Sequence, residues 1–223
     1  MFLGGCAADT HLVRADLRKG RVDLDGRLLE PGWRDAVSID GFVVETPSRP
    51  LTEADSDIPV PAPPLTEAFV LWDERFLYFA FFCADEDLVV GRVGARDEVE
   101  IRLRVGGNRA EPLRVVISLP QSVTVEGEAG SSELPWGGVE AATAVFGSPD
   151  DGGDIDRFYS VEVRIPFAAL GLEPFALSRP ERIEVRLLRR EVSRGHRTDL
   201  VHPEPRMQRD LERAWADLVL SWD

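Results

Sequence analysis

The sequence predicts an all-β domain, an antiparallel β-sandwich of the two-sheet immunoglobulin or jelly-roll kind, and three observations predict it. Residues 97–105 alternate, with Val99, Ile101, Leu103 and Val105 on one side and Glu98, Glu100, Arg102 and Arg104 on the other. Residues 69–85 are dense in aromatics and interrupted by Asp73-Glu74-Arg75, which is the form of a hairpin. The rest is short apolar runs divided by Gly, Pro and Asp turns, with almost no helix-period pattern. No repeat of fixed period appears, which argues against a propeller or solenoid.

The elements follow in order. Residues 1–20 lack a strand pattern and read as an N-terminal tail, leaving 21–223 as one domain. Residues 22–28 and 36–44 are short strand candidates on either side of Pro31-Gly32. Residues 45–66 hold Pro47, Pro50, Pro59, Pro61, Pro63 and Pro64, a density that excludes a helix or a central strand and implies an extended surface connection. The piece before it is too small to fold alone, so it supplies first strands to the same sandwich. Residues 76–84 are apolar on both faces, as a strand covered on both sides must be. Residues 113–119 and 123–125 repeat the two-residue period, 141–146 more weakly, and 159–165 strongly, with Val161, Val163 and Ile165 inward. Pro166 ends that ladder, and Phe167-Ala-Ala-Leu-Gly171 makes one helical turn closed by a glycine. Residues 183–188 and 215–222 complete the strands, with a helical turn expected over 208–214.

A chain of 223 residues buries a sizeable core without staples. Its 43% hydrophobic content excludes a disordered chain. The net charge of -14, with Lys19 the lone lysine among 26 basic residues, would repel phosphate backbones and anionic membranes, so no nucleic-acid partner is expected. Cys83 lies in the apolar run and reads as a buried small hydrophobe. Cys6 follows Leu3-Gly4-Gly5, the form of a bacterial lipobox whose cysteine becomes lipidated. Five residues are too few to supply the charged and apolar segments that precede such a cysteine, so either a longer precursor exists or the match is chance. No other stretch approaches the roughly 20 apolar residues of a membrane-spanning helix. The localisation expected is extracytoplasmic: secreted, periplasmic or held at the membrane through a lipid on Cys6.

Five segments line up with one family. "DGRLLEPGWRDAVSIDGFV", "AFVLWDERFLYFAFFCADEDL", "RDEVEIRLRV", "YSVEVRIPFAALG" and "IEVRLLRRE" resemble, in order, the family 9 carbohydrate-binding modules and their bacterial relatives. The "W-D-x-x-x-L-Y" hairpin and the "V-E-V-x-I-P-F-x-x-L" strand and turn carry most of the likeness, and "VHPEP…WADLVLSW" is similar to the relatives' last strand. The resemblance covers residues 22–222. It implies a β-sandwich that grips sugars, sometimes between two tryptophans, and often holds structural calcium. The wider superfamily with this sandwich also includes haem-binding domains.

Trp136, in the polar, glycine-flanked loop "SSELPWGGVE", is the candidate stacking platform for a sugar ring, and a loop anchor is its alternative. Trp33 and Trp72 read as core. Arg96, Glu98, Arg189 and Arg190 are candidate sugar contacts, because hydroxyls suit planar, bidentate polar partners and the resemblance places these strands near the binding face. Asp150, Asp151, Asp154 and Asp156 form an acidic, glycine-bearing loop able to offer calcium several oxygens, with Asp85, Glu86 and Asp87 a second candidate. His202 and Met207 are the pair a haem would need, and haem is the disfavoured cofactor. No Ser-His-Asp order sits in a nucleophile elbow, and no acidic pair stands out for acid/base work, so the domain reads as non-catalytic.

Overall fold

The hairpin at the middle of the chain forms as its residues dictate. Strands β3 (Thr66–Trp72) and β4 (Phe76–Ala84) are joined by Asp73, whose Oδ1 accepts the backbone N–H groups of Arg75 at 2.8 Å and Phe76 at 2.9 Å. Such an Asx turn closes the tight connection without a glycine. Asp73 Oδ2 also accepts the Tyr78 hydroxyl at 2.7 Å. The computed structural model describes residues 11–18, 20–53, 56, 62–91, 95–106, 112–126, 138–151, 157–172, 182–203 and 214–221.

The remaining strands are β1 (His11–Leu17), β2 (Val43–Pro50), β5 (Glu98–Val105), β6 (Leu113–Ser118), β7 (Ser122–Glu126), β8 (Glu140–Phe146), β9 (Phe158–Pro166), β10 (Ile183–Ser193), β11 (His196–His202) and β12 (Ala216–Ser221). Their hydrogen bonds run in the order β7-β6-β5-β10-β12-β1-β3-β4-β9-β8, with β11 on β10 and β2 on β11. The two halves turn apolar faces on each other. Val99, Ile101, Val185 and Leu187 from one half share a single core with Trp72, Phe79, Phe81, Val161 and Val163 from the other. That is the expected sandwich, closed around one apolar layer.

The first correction concerns the N-terminus. Residues 11–17, read as tail, are β1, which joins the two halves: its register runs from His11 with Ala216 to Asp16 with Ser221, and Asp16 and Leu17 pair Leu71 and Trp72. Both pairings are parallel, so the sheet is mixed and not wholly antiparallel. The strand buries Val13 and Ala15 while Leu12 is 67% exposed, so its apolar pattern is too thin to mark it from sequence.

Residues 22–28 form no strand. Of residues 36–44, only Ile39 bridges Ala68, and Val43 and Val44 begin β2. The proline-rich segment does contribute a strand, because β2 carries Pro47 and Pro50. Among the described residues it pairs only β11, an edge position where a missing N–H is tolerated. The turn after β9 matches expectation: Phe167–Leu170 is a 3₁₀ turn closed by Gly171 at φ 69°.

Residues 20–36 instead cover the outer face of β3 and β4. Helix α1 (Pro31–Asp35) starts with proline at its first turn, where no N–H is needed, and buries Trp33 against Leu71, Tyr78 and Ala80. Glu162, on the outer face of β9, pins this cover. Its Oε1 accepts Trp33 Nε1 at 2.7 Å, and its Oε2 accepts the backbone N–H of Gly26 at 2.7 Å and of Asp25 at 2.9 Å. The Ser160 hydroxyl donates to the Gly26 carbonyl. Strand β4 is thus covered on both faces, as its composition requires.

Gly26 has φ 80°, and a methyl there would press on the Thr143 carbonyl carbon and lie 2.6 Å from Ala144 N. Gly41, at φ 72°, has nothing within 4 Å of the same position. Gly41→Ala should therefore cost about 1 kcal/mol of backbone strain. Gly26→Ala should cost about 1–3 kcal/mol more from overpacking, read as the difference in urea unfolding. Equal losses would remove the close approach as the reason for glycine at position 26.

Candidate functional site

Two-residue alternation sets one face of β5 toward the core and the other toward solvent, and antiparallel register extends that outer face across its neighbours. Glu98, Glu100 and Arg102 stand opposite Arg190, Leu188 and Arg186 of β10, and opposite Ser118, Val116 and Arg114 of β6. Strand β11 adds Asp199, in register with Arg190, and Arg197. Together with Glu45 of β2 all of these but Arg186, Ser118 and Val116 line a shallow groove of about 160 Å³, which Arg189 also borders.

The groove is a lattice of ion pairs. Glu98 accepts Arg190 Nη1 at one oxygen and the Ser118 hydroxyl at 2.7 Å at the other. Glu100 accepts Arg102 Nε and, at 2.9 Å, Arg114 Nη2. Arg197 grips Asp199 with two N–H donors at 3.0 and 2.9 Å, and Arg190 Nε lies 3.4 Å from the same carboxylate. Beneath them Arg186 pairs with Glu45. Burial alone would raise the Glu100 carboxyl, but hydrogen bonds from Arg114 and Arg102 outweigh it and hold the group below its ordinary range. Burial lowers the Arg186 guanidinium from its ordinary value. Fixed, planar donors of this kind recognise oxygen-rich ligands through paired hydrogen bonds.

Among the sequence candidates, Glu98 and Arg190 meet in this groove. Arg96 is half-buried in the bend before β5 and does not line it. Arg189 is a correction. It points inward, fully buried, because strand alternation sends it to the opposite face from Arg190. Trp136 lies outside the described residues, in the segment between β7 and β8. Sequence reasoning missed Glu45, Arg102, Arg114, Arg197 and Asp199 as groove residues. The alternation of Glu100 and Arg102 with the apolar residues of β5 was the available signal for the first layer, whereas "HRTDLVH" gave no apolar run to mark β11.

Arg189 organises a different cluster, inside the sandwich. Its Nη2 donates to Asp85 Oδ2 at 3.1 Å, the Ala84 carbonyl at 2.8 Å and Glu191, and its Nη1 donates to Thr66 Oγ1 at 3.1 Å. Its guanidinium carbon lies 5.2 Å from the centre of the Tyr159 ring. Asp97 completes the set, accepting the backbone N–H groups of Val89 and Val192 at 2.8 Å each. Burial pushes the Glu191 carboxyl up to about 8 and raises Asp85 and Asp97, and repulsion adds to the rise, from Asp85 at Glu191, from Glu191 and Asp85 at Asp97, and from Asp87 at Asp85. One guanidinium beside crowded, buried carboxylates favours retention of a proton within the cluster.

The calcium candidates fall partly outside the described residues. Asp154 and Asp156 lie outside the described residues. Asp150 turns its carboxylate onto the N–H groups of Val90 and Gly91, at 3.2 and 3.3 Å, and belongs with Asp151 to no convergent set of carboxylates among the described residues. In the second candidate, Asp85 points inward, Asp87 accepts the Arg194 N–H at 2.7 Å, and Glu86 lies exposed 3.5 Å from Arg194. Two sets of carboxylates converge among the described residues: Asp25, Glu30 and Glu162, where Glu162 already accepts three N–H groups, and Asp85, Asp97 and Glu191, which do not fit calcium, since Arg189 already sits against two of them and backbone donors occupy the third. His202 is half-buried with its ring 5.7 Å from Phe42, and Met207 lies outside the described residues. Cys83 is buried and its thiol is pushed up to about 11, principally by desolvation, as an inert core residue should be. Cys6 lies outside the described residues.

No protein-family model and no curated protein matches this chain. Solved structures do match. A family 9 carbohydrate-binding module from Caldicellulosiruptor kristjanssonii in complex with glucose is 16% identical, with 95% of this chain and 97% of that chain covered and a TM-score of 0.60. A family 9 module from the same organism in complex with cellotriose is 16% identical, with 95% of each chain covered and a TM-score of 0.61. A candidate carbohydrate-binding protein from Bacteroides uniformis is 12% identical, with coverage of 95% and 100% and a TM-score of 0.61. The fold is therefore that of the β-sandwich binding modules. The likeness of fold extends over 95% of the chain.

The buried cluster makes stability depend on pH. Folding raises Glu191 from 4.5 to about 8, so the native chain holds a proton that the unfolded chain releases. Stability should fall as pH rises across that interval. Glu191→Gln, permanently neutral, should flatten the upper part of the decline. The Glu162 contribution, up to about pH 7, would remain. Urea midpoints measured across the interval check this, and an unchanged slope in the variant would contradict it.

Proposed function

We propose that this chain is a non-catalytic carbohydrate-binding domain that holds an oligosaccharide or polysaccharide in the groove over β5, β6, β10 and β11. The observation that carries the reading is the lattice of paired arginines and carboxylates, Glu98 with Arg190 at its middle, on a family 9-like sandwich. The two modules of that fold in complex with glucose and cellotriose support it. Sugar hydroxyls would insert among the ion pairs, with Leu188 beneath the ring. Trp136 is proposed as a stacking residue for the sugar ring.

A soluble sugar-gripping module works where polysaccharide is met, outside the cytoplasm, and Cys6 is its proposed lipid anchor. No helix among the described residues is long and apolar enough to cross a membrane. Expressed from a full-length gene, the protein should incorporate labelled fatty acid and fractionate with membranes, and Cys6→Ser should release it. A wild-type protein without label or membrane association would remove the anchor.

Isothermal titration against a panel of neutral and acidic oligosaccharides tests binding. At least one should bind, and Arg190→Ala or Glu98→Ala should weaken it about tenfold, equivalent to about 1.4 kcal/mol. Trp136→Ala should weaken it similarly if the indole stacks. Silence across the panel from folded protein would sink the proposal.

A further inference from the structure

The groove's hydrogen-bonding account is unbalanced, and the imbalance points to a ligand class. Its acceptors are partly filled by the protein: each oxygen of Glu98, Glu100 and Asp199 already takes one donor, and Glu45 takes Arg186 at Oε1. Its donors are not consumed. Among the described residues Arg102 is hydrogen-bonded through Nε alone and Arg190 through Nη1 alone, which leaves their remaining Nη donors, while the unpartnered Arg190 Nε and Arg186 Nε and Nη1 are buried below the groove. A neutral sugar hydroxyl gains most where it can both donate and accept. A site whose carboxylates are already paired with arginines and whose guanidinium groups keep unused N–H donors favours a group that only accepts.

Register places these donors around one point. Leu188 stands opposite Glu100, with Arg186 and Arg190 two residues to either side on β10 and Arg102 diagonally across on β5. Residues on one face at that spacing reach a common ligand. Leu188 supplies a small apolar floor, and no aromatic side chain lines the groove among the described residues. The chain carries -14, yet within the groove each carboxylate is matched by an arginine. A bound anion would meet guanidinium groups at contact distance, while the repulsion of the distant charges is screened within about 8–10 Å.

We infer that the groove binds an acidic glycan, through a uronic-acid residue whose carboxylate lies over Leu188 between Arg190 and Arg102. This rests on the reading of the groove as a sugar site and narrows it. A planar carboxylate takes two parallel N–H donors from a guanidinium, which neither a hydroxymethyl group nor a methyl ester reproduces.

The test compares titrations with short oligogalacturonates, the same oligosaccharides as methyl esters, cello-oligosaccharides, and a sulfated oligosaccharide of similar length. The free acid should bind at least tenfold more tightly than its ester, and the preference should shrink with added salt. Arg190→Gln and Arg102→Gln, each checked for native circular dichroism, should abolish the preference, and retained preference in both would overturn the assignment. Equal affinity for acid, ester and cello-oligosaccharide would overturn the acidic ligand while leaving sugar binding intact. Binding of the sulfated sugar alone would overturn the carboxylate. No binding to any of the four would overturn the inference together with the function it rests on.

Discussion

A strand that is apolar on both faces cannot be left on a surface, and β4 imposes that demand on the whole molecule. Its inner face, with Leu77, Phe79 and Phe81, needs a second sheet, and the half built on β5 and β10 supplies it. Its outer face, with Tyr78 and Ala80, needs another cover, and residues 20–36 supply that with Trp33 and Val22. The second cover is short and would be weakly held by apolar contact alone. Glu162 fixes it by accepting three N–H groups within 2.9 Å, from Asp25, Gly26 and Trp33. A single carboxylate on β9 thus converts a loop into part of the core. Burial pushes that carboxyl up to about 7 although each of the three donors favours its charge.

Charge is handled in two opposite ways on the two faces of β10. Outward, Arg186 and Arg190 enter a partly hydrated lattice in which each carboxylate has an arginine and donors remain over. Inward, Arg189 and Glu191 are sealed with Asp85 and Asp97, where the guanidinium pairs with Asp85 and Glu191 and backbone N–H groups hold Asp97. The first arrangement leaves groups available to a ligand. The second holds β10 to the ends of β4 and β5, a structural use of charge at the end of an otherwise apolar layer. Neighbouring residues of one strand therefore serve binding and stability separately, and period-two geometry keeps the two uses apart.

Much of the fold was legible. The β5 alternation, the β3–β4 hairpin with Asp73 as its turn, the strong β9 and the glycine-closed turn at Gly171 all lie where local pattern places them. β1 was not legible, because its inward residues are only Val13 and Ala15 and its partners lie far along the chain. β11 was hidden for a related reason: "HRTDLVH" is polar, and it is a strand because β10 and β2 pair with it. Of the groove, Glu98 and Arg190 could be named from their strands, while Arg197, Asp199 and Glu45 arrive through pairings with no local signature.

By itself the sequence determined the class of fold, the period and facing of its stronger strands, and the doubly covered hairpin at its centre. These depend on side-chain alternation and turn chemistry between neighbours, which a linear chain displays directly. Only the tertiary structure decided which charges meet. Asp85, Asp97 and Glu191 are brought to one buried point, and Glu98, Arg190 and Asp199 to one groove, by inter-strand register. Register is set by the burial of whole faces against each other, a property of the assembled sheets that no short stretch of residues carries.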